Sequence, residues 1–168
     1  MKFITHIVAF SAAFIFSVLL IGAPGGNFVF ELQGNQTQRA INVLLRKDVG
    51  NGLHRDYKIQ IINDGNPFSE AASSFEQYAE VISEYVSESE TISDDNLPPD
   101  FRAAWQTHML TWREHANFLN QTVSVKGKIT SEETYQIYKA QDREITRTWL
   151  EVLQIARSYG AVIPEGAY

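Results

Sequence analysis

From Phe3 to Gly22 the chain runs for twenty residues without a charged side chain, preceded only by Met1 and Lys2. At about 1.5 Å per residue, a helix of that length matches the roughly 30 Å hydrocarbon thickness of a bilayer. Phe10, Phe14 and Phe16 fall on different sides of such a helix, which leaves it without a polar face. The expectation is a membrane-spanning helix over residues 3–22, ended by Pro24-Gly25-Gly26. The run is longer than the roughly 7 to 15 apolar residues of a cleavable signal, so an uncleaved anchor is the first reading. Small residues at Ala23 and Gly25 keep the alternative of a cleaved signal and a secreted or periplasmic product. Lys2 is the basic residue nearest the span, which predicts the N-terminus inside and everything after Gly25 outside the cytoplasm.

Composition narrows the chemistry further. The chain has no cysteine, which excludes a disulfide framework, a thiolate nucleophile, a Cys-ligated metal and a lipidated cysteine. Lys and Arg number 14 against 20 Asp and Glu, for a net charge of −6. Nucleic acid is therefore not an expected partner, because binding it requires a basic footprint. From Ile59 to Phe101 every charged residue is acidic.

Three stretches read as amphipathic helices. In the first, Asn66 caps and Pro67 opens a helix whose apolar face is Phe68, Ala72, Phe75, Ala79, Ile82 and Val86. Its other face carries Glu76, Glu80, Glu84 and Glu88, a solvated strip or a docking strip for a basic partner or for divalent cations. Ser87 to Pro99 reads as an acidic linker, after which a second helix runs from Pro99 to Leu119. Its stripe is Phe101, Ala104, Trp105, His108, Met109, Trp112, His115, Ala116 and Leu119. A third helix begins near Thr130 or Ser131, with Glu133 completing a capping box, and ends before Gly160. Its apolar side is Tyr138, Ile145, Trp149, Val152, Leu153 and Ala156.

The segment before Asn66 is harder to read. Phe28 to Leu32 and Tyr57 to Ile61 alternate as short strands do, Asn35 is placed to cap a helix through Arg46, and Gly50-Asn51-Gly52 and Asn63-Asp64-Gly65-Asn66 read as turns. The predicted class is mainly α: an N-terminal membrane-spanning helix, then an antiparallel three- or four-helix bundle, with room for a small β ribbon. The predicted divisions are residues 1–25 as anchor or signal, 26–66 as a mixed juxtamembrane segment and 67–168 as the bundle.

Candidate chemistry centres on the second helix, where His108 and His115 share a face with Trp105 and Trp112. Seven residues between the histidines mean two turns and about 10 Å of rise, too far for both to hold one metal ion directly. Asp142 borders the apolar side of the third helix near Tyr138, placed to orient or charge one of the histidines. No serine nucleophile in a Gly-x-Ser-x-Gly elbow accompanies them, no EF-hand spacing surrounds Asp94-Asp95-Asn96, and no haem attachment motif accompanies Met109. No catalytic residue, metal or cofactor is therefore assigned. The leading expectation is an anchored extracytoplasmic module that binds an unidentified protein and meets the membrane through residues 3–22. The alternative is a bundle that holds a metal, cofactor or small ligand through His108, His115, Trp105, Trp112, Asp142 and Tyr138.

Overall fold

The computed structural model describes residues 36–65, 71–126 and 132–168. Among the described residues four α-helices follow one another: α1 (Gln36–Gly65), α2 (Ala71–Glu90), α3 (Pro99–Lys126) and α4 (Glu132–Ser158). No strand occurs among the described residues. Each helix packs on its neighbour in the chain, and the paired side chains show the sense of packing. Asp48 meets Ser89 while Lys58 meets Glu84; Arg113 meets Glu90 while Asn120 meets Ser83; His108 meets Thr148 while His115 meets Gln141. In each pair one number rises as the other falls, so successive helices are antiparallel.

The stripes read from sequence on α3 and α4 form the core. Phe101, Trp105, His108, Met109, His115 and Leu119 are buried, as are Ile145, Val152, Leu153 and Ala156. On α2, Ala79, Ile82 and Val86 are buried, and the helix continues through Ser89 to Glu90. Helix α3 also outruns its expected end at Leu119, reaching Lys126. The connection from Thr91 to Pro98 is held by α3 side chains: the Arg102 guanidinium donates to the carbonyls of Asp94, Asp95 and Leu97 at 3.0, 2.7 and 3.3 Å, and Gln106 Nε2 donates to Asp94 Oδ2 at 2.8 Å.

The largest correction concerns α1. Tyr57 to Ile61 is not a strand and Gly50-Asn51-Gly52 is not a turn, because both lie inside one helix from Gln36 to Gly65. The buried face of that helix is Ile41, Leu44, Leu45, Asp48 and Val49, continued by the half-buried Arg55 and Ile59. Two positions that carry the helical period are thus charged, which hides the period from a reading based on apolar residues alone. Added Cβ atoms would meet nothing within 4 Å at Gly50 and only the Arg55 side chain at Gly52, so neither glycine is required by a close approach. They cost the helix roughly 1 kcal/mol each, and tertiary packing offsets that cost. No membrane-crossing helix occurs among the described residues. Phe3 to Gly22, Phe28 to Leu32, Asn66-Pro67, Phe68 and the Thr130-Ser131 cap lie outside them.

Helix α4 ends as its sequence implies. Gly160 has φ of 72°, the Gly160 amide donates to the Arg157 carbonyl at 2.9 Å and the Ala161 amide to the Ala156 carbonyl at 3.0 Å. That is a Schellman cap, for which a left-handed glycine is the usual residue. Beyond it the tail binds α1: Gln38 donates to the Gly160 carbonyl, and the Val162 amide donates to Asn42 Oδ1 at 2.9 Å. Ala161 and Ala167 are buried, and Gly166, with φ of 84°, lies beside Val49 and Leu53. Because Trp149 Nε1 donates to the Ala167 carbonyl at 2.6 Å, the same tail ties α4 to α1.

Candidate functional site

Helix α3 brings His108, Trp112 and His115 to the side shared with α2 and α4. His108 makes two side-chain bonds, and together they fix its protonation. Trp112 Nε1 donates to His108 Nε2 at 3.1 Å, so that nitrogen carries a lone pair. On the other side His108 Nδ1 lies 2.9 Å from Thr148 Oγ1. The Thr148 hydroxyl proton goes to the carbonyls of Glu144 and Ile145, each at 3.0 Å, so Thr148 accepts from a protonated Nδ1. The ring is neutral, and both nitrogens are occupied. Burial, reinforced by the Arg55 charge, pushes the His108 pKa down to about 3.

His115 is held differently. Its Nδ1 lies 3.0 Å from Gln141 Oε1, so Nδ1 donates and the ring is again compatible with the neutral form. Burial lowers its pKa, while the Gln141 bond and the Asp142 charge resist the shift. Asp142 was a candidate to orient or charge one of the histidines, yet Gln141, one residue earlier on α4, makes the contact. Asp142 reaches His115 only through its field. Tyr138 lies 5.4 Å from His115, ring centre to ring centre and tilted by 52°, and its hydroxyl is 3.3 Å from that of Tyr78 on α2. Trp105 lies 6.0 Å from His108 and Trp149 lies 5.2 Å from it, ring centre to ring centre. Trp105, Trp112, Tyr138 and both histidines thus belong to one continuous aromatic layer.

Sequence reasoning missed the charged half of this layer. Arg55 extends from α1 with its guanidinium 4.7 Å from the Tyr85 ring centre and 4.8 Å from that of Trp112. Those two rings meet edge to face at 4.8 Å and 65°. Arg55 also forms an ion pair with Asp56 at 2.7 Å, and its side chain is only 15% exposed. Burial opposes its charge, but Asp56 and the neighbouring tyrosines outweigh that and hold its pKa above the ordinary value. One turn pair earlier on the same face, Asp48 Oδ1 accepts from the Tyr85 hydroxyl at 2.9 Å and from Ser89 Oγ at 2.7 Å. Asn51 Nδ2 donates in turn to Ser89 Oγ at 3.1 Å. Burial raises the Asp48 pKa, while the Ser89 and Tyr85 hydroxyls and Arg55 act against the rise. The seven-residue steps Asp48 to Arg55 and Tyr78 to Tyr85 were the available signal, since seven residues return a side chain to the same helix face.

Comparisons with protein-family models, curated proteins and solved structures give no match. Function has to be read from geometry. Among the described residues, no buried side-chain nitrogen or oxygen lacks a hydrogen-bond partner. Both His108 nitrogens are taken, so that ring is not a free base, and burial raises Tyr78, Tyr85 and Tyr138 above ordinary tyrosine, so none of the three is an activated nucleophile. Of the α2 glutamates, Glu84 is already paired with Lys58 at 2.5 Å, Glu88 is half-buried, and Glu76 and Glu80 are exposed. Away from the aromatic layer, an open groove of about 280 Å³ lies between α1 and the 91–98 connection, where Val43, Leu44, Ile92 and Leu97 meet Arg39 and Lys47.

Proposed function

We propose that this chain is a membrane-anchored helical module, with its bundle outside the cytoplasm, that works by binding another protein through its surface. The observation that carries this reading is the internal pairing of the aromatic layer. Thr148 and Trp112 occupy the two nitrogens of His108, and Arg55 packs over the faces of both Tyr85 and Trp112. A ligand in the core would have to break those bonds before making its own, and ligand sites normally hold polar groups aimed at the ligand. The uncharged run from Phe3 to Gly22 supports the anchor, and Lys2 before it supports the orientation. Glu76, Glu80 and Glu84 are the exposed part of the acidic strip, and Glu76 and Glu80 are the two on offer to a basic partner, since Glu84 is paired with Lys58.

The test uses the full-length chain. Native mass spectrometry from detergent should give the mass of the polypeptide alone, and a photo-crosslinker replacing Glu80 in cells should give a discrete adduct that Glu76→Lys abolishes. A stoichiometric metal or organic ligand carried with the protein would contradict the reading and move the site back to His108 and His115.

A further inference from the structure

On the side of α1 opposite its buried face, Val43, Leu53, Tyr57 and Ile61 are 42, 40, 61 and 51% exposed. At about 100° per residue these positions share the outward half of the helix with Arg39, Arg46 and His54, all of them exposed. Asp48 is buried on the opposite side and Asp56 projects sideways, so between Arg39 and Ile61 this half carries no acid. The charge on α2 is the reverse: every ionisable carboxylate or base in its sequence is a glutamate. A chain of net charge −6 has therefore gathered bases and large exposed apolar side chains on one helix face.

That combination fits a particular surface. Basic side chains seek anionic headgroups, aliphatic side chains enter the boundary beneath them, and tyrosine is at home at headgroup level. The position in the chain agrees. The uncharged run ends at Gly22 and α1 starts at Gln36, and the intervening segment spans at most about 45 Å even when fully extended. We infer that the outward face of α1 rests on the anionic surface of the bilayer. The inference deepens the proposed function and rests on its anchor: the module is held by the span and oriented by α1.

The absence of cysteine makes the test direct, since a single introduced cysteine is the only labelling site. Full-length chains carrying Tyr57→Cys or Glu80→Cys, each with a polarity-sensitive fluorophore, are placed in detergent, in phosphatidylcholine vesicles, and in vesicles that also contain phosphatidylglycerol. Acrylamide quenching at position 57 is expected to fall about threefold on the anionic vesicles, and to recover in high salt as screening weakens the attraction. Position 80 should remain open throughout, and Arg46→Glu should remove the protection at 57. Equal quenching at 57 on neutral and anionic vesicles would overturn the inference. So would protection already present in detergent, which would mean that a second copy or the chain's own N-terminal segment covers the face. Flotation with neutral vesicles reports on the anchor separately, so a chain that floats but shows no contrast at 57 keeps the span and loses the docked face.

Discussion

Trp112→Ala is expected to lower the stability of the bundle by about 3 to 5 kcal/mol, the range for deleting a large packed aromatic. Area alone does not account for the upper part of that range, because Trp112 is only half-buried. Three further losses coincide there. The edge-to-face contact with Tyr85 at 4.8 Å disappears, Arg55 loses one of its two aromatic faces, and His108 Nε2 loses its 3.1 Å donor. The last leaves a buried acceptor unsatisfied, which costs about 1 to 3 kcal/mol by itself. Trp112→Phe separates the contributions: it keeps a ring against Tyr85 and Arg55 but removes the N–H, for an expected loss of about 1 to 2 kcal/mol. Denaturant titration of the full chain in mild detergent, followed by its helical signal, measures both. A loss below about 1 kcal/mol for the alanine variant would show that the layer is not a packed unit.

Arg55→Ala should cost about 3 kcal/mol, since breaking a buried charged contact leaves its partners uncompensated. The Asp56 carboxylate loses its 2.7 Å ion pair, and Tyr85 and Trp112 lose the cation that packs over both rings. The electrostatic consequences have definite signs. Arg55 holds Asp48 down and helps to hold His108 and His115 down, so its removal raises all three pKa values. Arg55→Lys should recover little, because an ammonium group lacks the planar faces that meet both rings. Combined with Trp112→Ala, the loss should fall short of the sum by about 1 kcal/mol or more, as expected for residues in contact. Strict additivity would mean that the guanidinium and the indole do not support each other.

These residues also show what the sequence made legible. The α3 stripe from Phe101 to Leu119 and the α4 stripe from Ile145 to Ala156 were readable because enough apolar side chains recur at helical spacing around the buried polar positions His108, His115 and Thr148. Helix α1 was not, because Asp48 and Arg55 occupy core positions and Gly50 and Gly52 look like turn residues. Misreading Tyr57 to Ile61 as a strand also hid Lys58, and with it the ion pair that takes Glu84 out of the acidic strip. Within the candidate site, the ring residues of α3 were found but their partners were not. Thr148 and Gln141 rather than Asp142 meet the histidines, and a single residue on α4 changes direction by about 100°. That phase is set by how two helices pack, which spacing along one helix does not encode. The span from Phe3 to Gly22 lies outside the described residues and remains a proposal.

The titration of the layer follows from the same contacts. A histidine whose folded pKa is lowered contributes stability that is full above its unfolded value, near 6.5, and is lost as pH falls below it. For His108 the loss extends down to about 3, at a limiting slope of about 1.4 kcal/mol per pH unit. His115 acts in the same direction, with Gln141 and Asp142 resisting. Asp48 opposes them: its raised pKa makes the folded state relatively more stable as pH falls through its folded value towards 3.8. Bulk stability mixes these contributions, whereas imidazole nitrogen shifts resolve them. The most direct measurement is therefore a long-range proton–nitrogen NMR spectrum of the ¹⁵N-labelled full chain in detergent, recorded from about pH 7 to about pH 5, spanning the ordinary histidine value. His108 should stay neutral throughout, with its proton on Nδ1 and a hydrogen-bonded Nε2, and neither histidine should move appreciably in Asp142→Asn. A His108 that is protonated near its ordinary pKa or carries its proton on Nε2, or a raised His115 pKa that collapses in that variant, would contradict a closed structural layer.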